Sequence, residues 1–219
     1  MEGVTAHNNF FYFTLALIVL LIASAVLRSI PETDEHRLLQ GIMLLTEGVA
    51  YFSLNLNKKW RRFVLAMMVL MLVVNLLREF TSWSMTPLAS LTAILIFYCG
   101  MAYAAGRQVL FSGRVNANTI IGAVAIYLLL GLIWSILYLI TLEFWHGALN
   151  GIEYGKWADN FTTVTYFSYV TMTSLGYGDI SPAVPVSRVL AYLQAICGTF
   201  YMAVVVASMI GARTSKVVK

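Results

Sequence analysis

The chain has 219 residues, of which 60% are hydrophobic and only 11% are charged. Its mean hydropathy of +0.79 excludes an ordinary soluble domain and indicates a membrane protein with several spans and little room for a soluble part. The formal net charge of +4 does not indicate nucleic-acid binding, because the basic residues lie in short segments between apolar runs and not on one continuous face.

Six apolar runs long enough to cross a bilayer follow one another along the chain. They cover residues 9–28, 38–56, 63–80, 86–106, 117–142 and 184–210. Charged or turn-forming residues separate them, and the longest connection, 143–185, lies between the fifth run and the sixth. The pattern predicts an all-α membrane protein with six transmembrane helices.

The basic residues are distributed unevenly between alternate connections. With a cytoplasmic N-terminus, nine of the fourteen Lys and Arg residues lie on the cytoplasmic side. The positive-inside rule favours this orientation, and both termini are then cytoplasmic. We expect a multi-pass protein of the cell membrane. One basic cluster has two interpretations, a topology signal, which is the simpler, and a binding site for anionic lipid; it comprises Lys58, Lys59, Arg61 and Arg62.

A distinctive motif lies in the long connection before the sixth run. It reads Thr171-Met172-Thr173-Ser174-Leu175-Gly176-Tyr177-Gly178-Asp179, and it closely resembles the selectivity filter of the potassium channel family. The layout resembles a six-helix subunit with one pore loop, of the prokaryotic type and without a charged voltage-sensing helix. The resemblance implies a homotetrameric channel with K⁺ as the permeant ion and with no cofactor.

The glycines of the motif suit a backbone whose carbonyl groups line one axis. Gly176 and Gly178 can adopt a positive φ without the steric penalty of a Cβ. The resemblance implies that Leu175 and Tyr177 pack behind the filter. It also implies that the ion-binding residues are Ser174, Leu175, Gly176, Tyr177 and Gly178, and that the filter is supported by Thr173, Asp179 and Tyr166.

Two helices are predicted around this motif. Asp159 and Asn160 are N-cap residue types before 161–172, which predicts a short re-entrant pore helix. The run 184–210 predicts an inner helix, in which Gly198 has two interpretations, a hinge implied by the resemblance or a site of close helix packing. Helical spacing adds candidate cavity and gate residues to Gly198: Thr199, Met202, Val206 and Ile210.

We expect two regions in the chain. Residues 1–112 form a four-helix transmembrane region, and residues 113–219 form a pore domain of outer helix, pore helix, filter and inner helix. The fourth run has no basic residue before Arg107, which predicts weak voltage dependence. Glu47 lies inside the second run, where a functional role and the packing role of a protonated or hydrogen-bonded residue are both possible interpretations.

Several departures from the family pattern occur near the motif. Ser174 replaces the usual Thr, Leu175 replaces the usual Val, and Val170 stands where some relatives have Glu. The alternative function is a nonselective cation channel, which usually lacks the filter tyrosine, so Tyr177 argues against it. A potassium-uptake transporter needs four pore loops in one longer chain. No catalytic motif indicates an enzyme.

Overall fold

The computed structural model describes residues 9–28, 35–53, 58–80, 86–110, 116–153 and 155–214. Within these ranges the chain forms seven helices and two very short strands. They are, in chain order, α1 (Asn9–Arg28), α2 (Glu35–Ser53), α3 (Lys58–Phe80), α4 (Thr86–Leu110), α5 (Ala117–Phe144), β1 (Leu149–Asn150), α6 (Trp157–Met172), β2 (Ser181–Pro182) and α7 (Pro185–Thr214). The helices lie at the six predicted spans and at the predicted pore helix.

Helices α3 and α4 each extend beyond the apolar run into basic residues. The segment 58–62 forms the first turns of α3 and not a connection, and α4 continues past Arg107 to Leu110. Lys and Arg are good helix formers, and their long side chains reach water from helix ends that lie near a membrane surface. A basic cluster therefore marks the end of a span without marking the end of its helix.

Four of the described helices are long and apolar enough to cross a membrane, judged by length and composition. These are α1, α4, α5 and α7. The apolar part of α2 is shorter and covers Gly41–Ser53. The protein is thus an all-helical membrane protein with four candidate spans, and the crossing of the membrane by α2 and α3 stays a prediction.

Helix α5 lies at the centre of the fold, where it packs against α1, α4, α6 and α7. Its buried residues include small side chains such as Gly122, Ala125 and Gly131, as well as Leu129 and Leu132. Small residues allow helix backbones to approach closely in a membrane, where apolar burial alone does not drive helix association. Helix α5 thus packs both against α1 and α4 of the four-helix region and against the candidate pore elements α6 and α7.

Helix α1 is hydrogen-bonded to the C-terminal half of the chain. The backbone N–H of Phe10 donates to Asn118 Oδ1 at 3.2 Å, and Thr162 Oγ1 donates to the carbonyl of Ser24 at 3.1 Å. The bond to Asn118 joins α1 to the start of α5, and the bond from Thr162 joins α1 to α6. Helix α1 is therefore attached to the candidate pore at both of its ends.

Glu47 is buried in α2, with 2% of its surface exposed. Its Oε2 has no hydrogen-bond partner among the described residues. An unpaired buried carboxyl oxygen is costly. The hydrogen-bonded packing role is therefore not seen at this oxygen, and a functional role of Glu47 stays a prediction.

Candidate ion-conducting site

Helix α6 begins earlier than the sequence predicts. It covers Trp157–Met172, and its N-cap is Lys156, whose side chain makes no capping bond. The predicted caps, Asp159 and Asn160, lie in the first turn instead, so that prediction was wrong. The Asn160 amide donates to the carbonyl of Glu153 at 3.0 Å, which ties the preceding loop to the helix. The Asp159 carboxylate still lies at the positive end of the helix dipole.

The chain after α6 turns back onto the last turn of that helix. The N–H groups of Leu175 and Gly176 both donate to the carbonyl of Val170, at 3.0 and 3.3 Å. The N–H of Ser174 donates to the carbonyl of Thr171 at 3.0 Å. These bonds use carbonyl groups that a helix end leaves without partners. They fix the position at which the predicted filter begins relative to α6.

Positive φ recurs at every second residue of the predicted filter. The values are 59° at Ser174, 59° at Gly176 and 81° at Gly178, and the intervening Leu175 and Tyr177 are not in the positive region. The prediction for the two glycines is confirmed. Ser174 was not expected to share this conformation, which costs a non-glycine residue about 1–2 kcal/mol. The hydrogen bond from its N–H to α6 helps to hold it there.

The outer end of the motif is held by a side-chain hydrogen bond and by a close backbone contact. The Tyr166 hydroxyl donates to Asp179 Oδ2 at 2.9 Å, and this bond raises the pKa of Tyr166 above its ordinary value. Gly151 has a φ of +82°, and a Cβ at this position would lie only 2.5 Å from the carbonyl oxygen of Asp179. Tyr166 and Asp179, both predicted as filter support, are thus brought together.

Two short strands connect the segments on either side of α6 and the motif. β1 and β2 pair antiparallel, with Leu149 opposite Pro182 and Asn150 opposite Ser181. The carbonyl of Ala148 also accepts bonds from the Ala183 N–H at 3.0 Å and from Ser187 Oγ at 2.7 Å. This pairing was not predicted from the sequence, although Asn150-Gly151 is a typical turn dipeptide.

A buried hydrogen-bond network joins α5, α6 and α7 behind the motif. Gln194 Nε2 donates to Ser168 Oγ at 2.7 Å and to the Ser168 carbonyl at 2.8 Å. Tyr138 donates to Gln194 Oε1 at 2.8 Å, and Ser168 Oγ donates to the Gly131 carbonyl at 2.7 Å. The side chains of Tyr138, Ser168 and Gln194 are fully buried. The only available signal was an amide side chain within the apolar run of α7.

Gly198 lies directly against the end of α6. A Cβ at this position would overlap the carbonyl oxygen of Met172 and would approach the Met172 side chain closely. The close-packing interpretation of Gly198 is therefore seen in the structure, and the hinge stays a prediction. At this point the backbone of α7 contacts Met172, which directly precedes Thr173, a residue predicted to support the filter.

The remaining cavity and gate residues follow Gly198 along α7. Thr199 is exposed, and its hydroxyl donates to the carbonyl of Ala195 at 2.9 Å. Met202 is half exposed. Val206 and Ile210 lie in α7, but their side chains lie outside the described residues, as does that of Lys59 in α3. The predicted lining and gate therefore stay predictions.

The side chains of the predicted filter are open to the surroundings in a single chain. Leu175 is 57% exposed and Tyr177 is 67% exposed. The expectation that both pack behind the filter is not met within one chain, because α6 and α7 of the same chain do not cover them. The exposed face of α7 is also apolar, with Ile196, Phe200 and Val204 more than half exposed.

Residues 119–214 match a family that is described as an ion channel. The matched segment covers most of α5, all of α6 and the motif, and α7 to its end, which is less than half of the chain. The match supports an ion channel family, whose function is passive ion conduction and which is not a family of enzymes. No curated protein and no solved structure matches the chain.

Proposed function

We propose that the chain is one subunit of a potassium-selective channel that conducts K⁺ passively through a pore of four identical subunits. The observation on which the proposal chiefly rests is the alternation of positive φ at residues 174, 176 and 178, within a motif that resembles the potassium filter. When the backbone conformation alternates between right-handed and left-handed residues, successive peptide groups point the same way. Their N–H groups then lie on one side of the segment, as in the nests that bind anions. The opposite side of such a segment presents carbonyl oxygens, which are ligands for a cation.

The proposed filter replaces the hydration shell of K⁺ with backbone oxygens. The ligand oxygens would come from the five residues Ser174 to Gly178. The carboxylate of Asp179 lies outside them, adds negative potential at the pore mouth, and is restrained by Tyr166. The C-terminal end of α6 adjoins the inner end of the filter, and its negative dipole favours a partly dehydrated cation there.

Several copies of the chain are needed because one filter segment cannot enclose an ion, and closed symmetry is the usual arrangement of identical subunits. The resemblance makes the number four. The exposure of Leu175, Tyr177 and the apolar face of α7 is consistent with a surface that other subunits cover. In this assembly the two filter side chains pack against a neighbouring subunit.

The proposed arrangement in the membrane has six spanning helices and α6 as a re-entrant helix. Both termini face the cytoplasm of a cell membrane, as the distribution of Lys and Arg favours. The region 1–112 surrounds the pore domain 113–219. Because α4 has no basic residue before Arg107, the membrane field has little charge to move, and opening is weakly dependent on voltage.

Ion flux into liposomes that contain the purified full chain tests this function. We expect K⁺ uptake that barium blocks, little Na⁺ uptake, and no uptake in protein-free liposomes. Equal uptake of Na⁺ and K⁺ would support the nonselective cation channel instead, and absence of flux under all tested conditions counts against conduction. When the purified protein is cross-linked to completion, the largest species should contain four chains. A largest species of two chains contradicts the proposed assembly.

A further inference from the structure

An apolar groove lies on the surface of the four-helix region, and no predicted filter residue lines it. It has a volume of about 480 Å³, and residues of α1, α2 and α3 line it. This volume lies within the range of small-ligand sites. The lining includes Tyr12, Leu45, Gly48, Phe52 and Met68. Leu45 and Phe52 are among the most exposed apolar side chains, at 71% and 76%.

Gly48 gives the groove its depth. A Cβ at this position would meet no atom within 4 Å, so the missing side chain leaves open space and not a close contact between helices. A glycine in a helix interior costs about 1 kcal/mol relative to alanine, and no neighbouring backbone requires it here. The open space is large enough to accept a methylene chain against α2.

One end of the groove has positive charge. Arg61 lies two helical turns before Met68 on the same face of α3, which corresponds to about 10 Å along the helix axis. The Arg61 guanidinium lies over the ring of Tyr51 at 4.7 Å from its centroid, and Nη2 donates to the Tyr51 hydroxyl at 3.2 Å. Tyr51 is adjacent in α2 to the lining residue Phe52, and Arg61 shares a face of α3 with the lining residue Met68, so we infer that Arg61 lies beside the groove.

The guanidinium of Arg61 retains donors for a further ligand. A guanidinium has five N–H donors, and the Tyr51 hydroxyl accepts one of them. No acidic side chain in the described part of the chain forms an ion pair with Arg61 or with the exposed Arg62 next to it. Stacking on Tyr51 restrains the orientation of the guanidinium. The paired N–H groups of a guanidinium can bind two phosphate oxygens at once.

We propose that this groove binds an anionic phospholipid, with one acyl chain along Gly48 between α1 and α3 and the phosphate at Arg61. Charge complementarity at the rim selects the anionic headgroup, and the apolar lining accepts the tail. In the topology proposed above the site faces the cytoplasmic leaflet. The site does not depend on the filter, so it can exist whether or not the protein conducts K⁺.

Lipid binding to the purified full chain in detergent tests the site. Phosphatidylglycerol and phosphatidylcholine with identical acyl chains are titrated, and bound lipid is counted by native mass spectrometry. We expect the unmodified protein to bind phosphatidylglycerol more tightly. Arg61→Gln should weaken phosphatidylglycerol binding about fivefold, the value that about 1 kcal/mol per basic residue near an anionic surface implies, and should leave phosphatidylcholine unchanged. Arg28→Gln is the matched control, since Arg28 is an exposed arginine at the opposite end of α1.

A second pair of variants tests the tail. Gly48→Leu fills the groove and should weaken binding of both lipids, whereas Gly106→Leu, at another helical glycine with open space around it, should not. Thermal unfolding of each variant identifies any that fails to fold. Equal binding of both lipids by the unmodified protein overturns the headgroup assignment. The proposed site is overturned if Arg61→Gln and Arg28→Gln change phosphatidylglycerol binding equally. It is also overturned if Gly48→Leu binds both lipids as tightly as the unmodified protein does.

Discussion

The C-terminal region, α5 to α7, and the N-terminal region, α1 to α4, are stabilised in different ways. Behind the proposed filter, buried polar side chains bond from one helix to another, as Gln194 does to Ser168 and Tyr138. In the described part of the N-terminal region such bonds are fewer: Ser24 and Thr46 donate within their own helices, to Leu21 and Ile42, both at 2.9 Å. The bonds that leave a helix there are longer, from Thr14 to the carbonyl of Ile121 at 3.3 Å and from Arg61 to the Tyr51 hydroxyl at 3.2 Å. Directional bonds therefore determine the geometry of the C-terminal region more strongly.

This difference has a physical consequence for function. A hydrogen bond fixes distance and direction, whereas apolar packing between membrane helices fixes mainly shape and tolerates sliding. A filter that replaces a hydration shell needs its oxygens at fixed positions. The N-terminal region has no such requirement, and a groove on its surface is open to lipid.

The largest effect is expected from Gly198→Ala. The new Cβ would collide with the backbone carbonyl of Met172, so the ends of α6 and α7 must separate, at a cost of about 3 kcal/mol. Thermal unfolding in detergent measures this cost. Gly106→Ala is the control, because nothing lies within 4 Å of a Cβ there. An unchanged melting temperature for Gly198→Ala would leave the hinge as the better interpretation of this glycine.

Gln194→Leu tests the buried network. The change leaves the Tyr138 hydroxyl without its acceptor and removes a donor from Ser168, and such losses cost about 1–3 kcal/mol in a buried site. We expect a lower melting temperature together with reduced K⁺ selectivity, because α6 loses its attachment to α7. Gln108→Leu on α4 removes an amide from the other region and should change neither. Equal stability of the two variants contradicts the comparison.

Gly176→Ala tests the backbone of the filter. Nothing lies near a Cβ at Gly176 within one chain, so the penalty arises from the positive φ and is about 1–2 kcal/mol per subunit. The protein should keep its helix content and lose selectivity for K⁺ over Na⁺ in liposome flux. Gly41→Ala, at a helical glycine with open space, should retain selective flux. Selective flux through Gly176→Ala shows that this conformation is not required.

Tyr166→Phe is expected to have the smallest effect. It removes the bond to Asp179 at a solvent-exposed position, so folding and selectivity should persist. The outer end of the filter loses a restraint, and K⁺ flux should decline faster during sustained conduction. Tyr192→Phe removes an exposed hydroxyl from α7 and provides the comparison. If both variants conduct for the same time, Asp179 is held by other contacts.

Much of the helical layout could be predicted from the sequence, because apolar runs of spanning length have few alternative structures in a membrane. The start of α1 and the start of α5 agree with the runs to the residue. The start of α6 could not be predicted from residue preferences, because its N-cap, Lys156, makes no capping bond and the Asn160 side chain bonds to Glu153 instead. A local preference of about 1 kcal/mol is easily overridden by tertiary contacts.

The site was predictable in its residue types and not in its contacts. The conformations of Gly176 and Gly178 follow from the absence of a Cβ, whereas the positive φ of Ser174 depends on bonds to the end of α6. The pairing of β1 with β2 involves two residues on each side, too few for any alternation pattern to emerge. The bond between Gln194 and Ser168 joins residues from separate helices, and one sequence does not contain that information.

The reversal potential of single channels tests the central claim most directly. The purified full chain is inserted into a planar bilayer with K⁺ on one side and an equal concentration of Na⁺ on the other. We expect a reversal potential displaced strongly towards the potassium equilibrium potential, in the unmodified protein and in Gly41→Ala. A reversal potential near zero contradicts potassium selectivity and indicates a nonselective cation pore.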